Sequence, residues 1–81
     1  KIEDIRPFLS QTQYDLIKVL ESKGPMKRRD IMKELDLAWT TTYDNLEKLQ
    51  KRNIVEKFSK IHGRGRPYVF WKIKEEETED D

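Results

Sequence analysis

No cysteine occurs among the 81 residues, which excludes a disulfide framework, a thiolate metal site and a cysteine nucleophile, and suits a reducing interior. Histidine occurs once, as His62. With no second histidine, no thiol and glycine beside it, His62 is a poor metal ligand and a poor general base. No glycine-rich phosphate loop follows a strand, and no nucleophile stands in an evident pattern with a base. The expectation is therefore no enzyme, no metal and no cofactor. No apolar run approaches the ~20 residues that cross a bilayer, and no signal-peptide pattern is visible, so the chain is expected in the cytoplasm. Glycine and proline are scarce, three of each, and they mark breaks at Pro7, Gly24-Pro25 and the stretch 63–67. Apolar residues make up only 35% against 41% charged. A single small domain with so little apolar material folds only if that material is well placed.

Charge is abundant but unevenly spread. The formal net charge is +1. Residues 75–81 (EEETEDD) hold six acids and no base, and without them 17 bases face 10 acids, or +7. Within that body, residues 51–74 carry eight bases (Lys51, Arg52, Lys57, Lys60, Arg64, Arg66, Lys72, Lys74) and one acid, Glu56. Residues 1–50 carry nine of each and sum to zero. A basic C-terminal third fits a polyanion partner.

The chain divides into an N-terminal arm over 1–9, a domain over 10–74 and an acidic tail over 75–81. In the arm, Ile2, Ile5, Phe8 and Leu9 fall at helix-like intervals, interrupted by Pro7. Ser10 with Gln13 fits a capping box, and Tyr14, Leu16, Ile17, Val19 and Leu20 follow as an apolar face. Gly24-Pro25 closes this helix, predicted over 11–23. Gly24-Pro25-Met26 makes an extended bridge. Lys27, Arg28, Arg29 and Asp30 open a second helix with Ile31, Met32 and Leu35 as its apolar positions, and Asp36-Leu37 turns the chain. A third helix runs from Ala38 or Trp39 to about Arg52, with Asn53 as its left-handed stop and Thr40 as an alternative N-cap to Ala38.

The third helix has two faces. At ~100° per residue, Leu46 and Leu49 lie within about 40° of Thr42, flanked by Ala38 and Asn45. Thr40, Asp44, Glu47 and Lys51 fall on the opposite side. From Ile54 the period becomes strand-like: 54–61 and 68–73 are rich in β-branched and aromatic residues. The loop His62-Gly63-Arg64-Gly65-Arg66-Pro67 joins them as a hairpin. The tail has no apolar residue and is expected to be solvated.

Helix, helix, helix and hairpin in this order resemble the winged helix-turn-helix DNA-binding domain. The stretch TTYDNLEKLQKRNIVEK looks like that family's recognition helix running into the first wing strand. GRGRPYVFWKI looks like the wing tip with its returning strand. The match covers 10–73 and is closest to compact prokaryotic regulators, including archaeal ones and those of their viruses and plasmids. The resemblance implies an α+β fold with a three-helix core and a two-stranded wing. It also implies double-stranded DNA as partner and transcription regulation as function, with the protein nucleoid-associated. A homodimer on a partly palindromic site is expected, with Ile2, Ile5, Phe8 and parts of the first helix at the contact; the alternative for the arm is packing on its own domain. No membrane and no small-molecule ligand are implied.

Carried onto this sequence, the resemblance places Trp39, Thr40, Thr41, Tyr43, Asp44 and Lys48 in the major groove. Threonine hydroxyls serve base edges, Asp44 suits cytosine N4, and Lys48 suits a phosphate. Asp44 also stands four residues before Lys48, where the two make a simple helix pair. Trp39 is expected either in the groove or packed on the second helix. The helix face departs from the common pattern in carrying no arginine, where guanine readout would be expected. Lys27, Arg28 and Arg29 stand at a helix N-terminus, where backbone N–H groups favour phosphate. Arg64-Gly65-Arg66-Pro67 has the core also seen in AT-hook peptides, and arginine is drawn to a narrow A·T minor groove. Lys60, His62 and Gly63 complete the expected wing contacts. The rival reading is a protein-docking module that uses the third helix or the strand 68–71. A single-strand binder has less support, because the aromatics form no evident stacking platform in the sequence.

Overall fold

In the computed structural model, residues 6–61 and 63–74 are described. Of the expectations above, those on Ile2, Ile5, His62 and the tail 75–81 lie outside them. After a 3-10 turn at Arg6–Phe8, Ser10 starts the first helix, α1 (Gln11–Lys23). Its Oγ accepts from the Gln13 N–H at 3.1 Å, and Gln13 Oε1 accepts from the Ser10 N–H at 3.2 Å. This is the capping box expected from the sequence. Leu16, Ile17 and Leu20 form the buried face. Gly24 takes φ +83° and donates its N–H to the Leu20 carbonyl, a backbone state that glycine reaches without steric cost.

Met26–Lys27 form a two-residue strand, β1, leading into α2 (Arg28–Leu35). Lys27 thus precedes the helix it was expected to open. Both of the next two helix ends place a non-glycine residue in the left-handed region, Asp36 at φ 54° and Asn53 at φ 63°. At the first, the Leu37 N–H reaches the Met32 carbonyl. At the second, the N–H groups of Asn53 and Ile54 reach the carbonyls of Gln50 and Leu49. Those paired bonds satisfy carbonyls left open at a helix end. Between these stops lies α3 (Trp39–Lys51), capped by the Ala38 backbone with no side-chain cap bond. Thr40 therefore does not cap it.

The hairpin strands are β2 (Val55–Lys60) and β3 (Tyr68–Ile73). They pair antiparallel from Val55 with Ile73 to Lys60 with Tyr68. β1 joins the other edge of β3, Met26 opposite Trp71 and Lys27 opposite Phe70. The sheet order is β1-β3-β2, so the hairpin gains a third strand that the sequence reading did not contain. Two residues carry no period of their own, and their partner lies some forty positions downstream.

The core is Leu16, Ile17, Leu20, Ile31, Leu46, Leu49, Val55 and Trp71, all buried. Thr42 is buried with them, and its hydroxyl donates to the Ala38 carbonyl at 2.9 Å. The burial is therefore not left with an unpaired polar atom. Packing of Thr42, Leu46 and Leu49 against α1 and α2 fixes the rotation of α3. Its opposite face is turned outward.

Candidate nucleic-acid interface

Three parts of the chain carry the expected contacts. On α3, Thr40, Thr41, Asp44 and Lys48 are exposed and Tyr43 is half-buried. Among the described residues the ion pairs are Lys18–Glu21, Lys23–Glu34 and Lys72–Glu56. Asp44 and Lys48 do not form the helix pair that their spacing allows, and both heads stay in solvent.

Trp39 is neither bare nor tucked away. It keeps 51% of its surface exposed. Its ring lies parallel to that of Tyr43, with centroids 6.0 Å apart and planes 7° from each other. The guanidinium of Arg28, at the start of α2, stands 4.5 Å from the Trp39 centroid and 5.5 Å from that of Tyr43. An arginine absent from the face of α3 in sequence is thus delivered to its first turns from α2. The Tyr43 hydroxyl is hydrogen-bonded to the Glu47 carboxylate, whose bond and charge raise its pKa above the ordinary tyrosine value. Folding favours the protonated phenol. That contribution is present at neutral pH and is lost only as pH rises into and beyond the ordinary tyrosine range.

The loop between β2 and β3 presents Arg64 and Arg66, both exposed, with Lys60 exposed at the end of β2. Gly63 takes φ 65° and Gly65 φ 111°. The second value is hard for any residue with a Cβ. The two arginines are therefore separated by a residue that lets the backbone fold back tightly between them.

A concavity of about 340 Å³ lies between the start of α2, Tyr43 of α3 and the wing strands. It is lined by Lys27, Arg28, Arg29, Tyr43, Lys57, Val69 and Trp71. Its lining holds four cations and no carboxylate. Lys57 and Trp71 were not among the residues expected to form the site. Lys57 sits opposite Trp71 across the strands, and its Nζ stands 5.4 Å from the Trp71 ring centroid. The alternation of β2 was readable in sequence; the register that seats Lys57 over Trp71 was not. Among the described residues no group of three or more His, Cys, Asp or Glu side chains could hold a metal ion, and no helix is long and apolar enough to cross a membrane.

Known proteins resemble the chain in sequence and in fold. A family model described as winged helix-turn-helix DNA-binding matches residues 9–56. The fold is similar to the apo-Zalpha domain of zebrafish PKZ, with TM-score 0.64 and 28% identity over 80% of this chain and 94% of that one. It is also similar to a possible transcriptional regulator from Methanosarcina mazei Go1, with TM-score 0.71 and 19% identity over 90% of this chain. That second alignment spans 65% of the regulator's own length. No curated protein matches the sequence.

Proposed function

The chain belongs to the winged helix-turn-helix DNA-binding family, and from that premise we propose a transcriptional regulator that grips duplex DNA through both grooves. α3 enters the major groove, where Thr40, Thr41 and Asp44 meet base edges and Lys48 meets the backbone. Arg64 and Arg66 enter the minor groove, where narrow A·T segments concentrate negative potential. The observation that carries the reading is the acid-free concavity lined by α2, α3 and the wing. A duplex lying against α3 would run its phosphates past Lys27, Arg29 and Lys57. Arg28, stacked on Trp39 and Tyr43, supplies the planar donor that α3 lacks on its outer face; such a donor suits guanine or a phosphate.

The naming of the archaeal neighbour as a possible transcriptional regulator supports the regulatory role. Two copies on a partly palindromic site would set their α3 helices about 34 Å apart. Phe8, 72% exposed, is the described residue best placed for the contact between them. The acidic tail, by its charge, screens the basic wing when DNA is absent.

Methylation interference on a duplex selected from a random pool tests the two-groove grip. Dimethyl sulfate marks guanine N7 in the major groove and adenine N3 in the minor groove. The expected result is interference at both, with the adenine signal lost for Arg64→Ala/Arg66→Ala. Interference confined to guanine N7 in the parent protein would remove the wing from the minor groove.

A further inference from the structure

The strand register gives the wing sheet two faces of different character. One turns Val55 and Trp71 to the core. The other carries three successive cross-strand pairs: Glu56 with Lys72, Phe58 with Phe70, and Lys60 with Tyr68. Lys27 joins this outer face opposite Phe70. Three aromatic rings thus stand on the side of the sheet away from the core. The rings of Phe58 and Phe70 stack with centroids 5.5 Å apart and planes 18° from each other. Phe58 stays 37% exposed and Tyr68 46%.

Lysines outnumber acids on this face. Lys27 Nζ stands 4.4 Å from the Tyr68 centroid and Lys72 Nζ 5.8 Å from that of Phe58. Lys60 is exposed beside them. The one acid in the three pairs, Glu56, already faces Lys72 at 3.5 Å. Rings interleaved with ammonium groups match a ligand that offers flat π-faces and a negative charge at every unit. Duplex DNA keeps its base faces stacked inside; an unpaired strand offers both.

We propose that the outer face of the wing sheet binds single-stranded nucleic acid. Bases stack on Phe58, Phe70 and Tyr68, and phosphates pair with Lys27, Lys60 and Lys72. The ammonium groups of Lys27 and Lys72 now occupy positions over ring faces. An arriving base takes that position, and the lysine swings to the adjoining phosphate. A second copy of the chain is a poorer occupant, because a two-fold contact would set three lysines against three with only two Glu56 carboxylates between them. This surface lies across the sheet from the concavity, sharing only Lys27 at the edge. An unpaired strand and a duplex are therefore separate ligands for one wing.

The test is an anisotropy titration of fluorescein-labelled oligothymidine, about ten nucleotides long, beside a blunt duplex, at moderate salt. The parent protein is compared with Phe58→Leu/Phe70→Leu, which keeps apolar bulk and removes the π-faces. The expected result is at least about a tenfold loss of oligothymidine affinity with duplex affinity held within about twofold. If circular dichroism shows the double variant unfolded, Tyr68→Leu replaces it, with a loss expected in the same direction. The proposal is overturned if the parent protein fails to bind oligothymidine. Equal binding by the folded leucine variant also overturns it, since the grip is then phosphate alone. So does a dimer in sedimentation that the leucine variant dissolves, since the face then belongs to a second copy. Failure of the parent protein to bind duplex would count against the function proposed above and leave the single-strand result standing.

Discussion

Arg28 is the side chain on which the proposed duplex surface turns. It begins α2, yet its guanidinium rests on the two aromatic rings at the start of α3. A guanidinium over aromatic rings at an exposed site contributes about 0.5–1 kcal/mol, while removing an arginine bidentate to guanine costs about 1–3 kcal/mol. The functional effect of removing it should therefore exceed the structural one. Arg28→Ala is expected to weaken duplex binding about tenfold in a titration, with thermal stability lowered by about 1 kcal/mol or less. Arg28→Lys should recover little, because an ammonium neither stacks flat nor forks. Full affinity in Arg28→Ala would show that the arginine only braces Trp39. The sequence made Arg28 visible as a cation at a helix start. It did not show that this helix start lies beside the start of α3, because that adjacency arises from the crossing of two helices, not from spacing.

At the level of elements, the helices were legible from their apolar stripes and from the ends that carry local chemistry. The Ser10–Gln13 box starts α1, and Gly24 ends it. The stripe of Thr42, Leu46 and Leu49 sets the inward face of α3. Asn53 ends the segment in the left-handed region, which asparagine tolerates and alanine does not. Asn53→Ala should accordingly cost about 1 kcal/mol in denaturant unfolding, and Asn53→Gly should match the parent protein. A neutral alanine substitution would mean that the turn after α3 adapts freely. What sequence could not reach was pairing at a distance. β1 has two residues and finds β3 across the whole helical core. The stacking of Phe58 on Phe70 depends on hairpin register, which spacing within either strand does not fix. The aromatics that formed no evident platform along the chain form one across it.

For the molecule as a whole, a core of eight buried apolar side chains among the described residues carries the fold. Leu46, on the inward face of α3, is fully buried. Leu46→Ala should cost about 2–5 kcal/mol, a large share of the ~5–15 kcal/mol typical of a folded domain, seen as a steep fall in the urea midpoint. A loss below about 1 kcal/mol would place the core elsewhere. Charge is also organised at this scale, with an acidic tail after a basic wing. Deleting 75–81 should tighten non-specific duplex binding at low salt, and no change would dismiss the screening role. Sedimentation at tens of micromolar tests the proposed pairing of two copies; a monomer both free and on DNA would remove it.

A basic wing that acts as a DNA element must leave its mark on the salt dependence of binding. Duplexes rich in A·T and in G·C would be titrated at several salt concentrations with the parent protein and Arg64→Ala/Arg66→Ala. Each phosphate neutralised contributes ~0.9 to the slope of log K against log salt. A steep slope is expected for the parent protein, with a flattening of about two units in the double variant and loss of any A·T preference. Slopes and preferences that coincide for the two proteins would contradict a wing that acts on DNA.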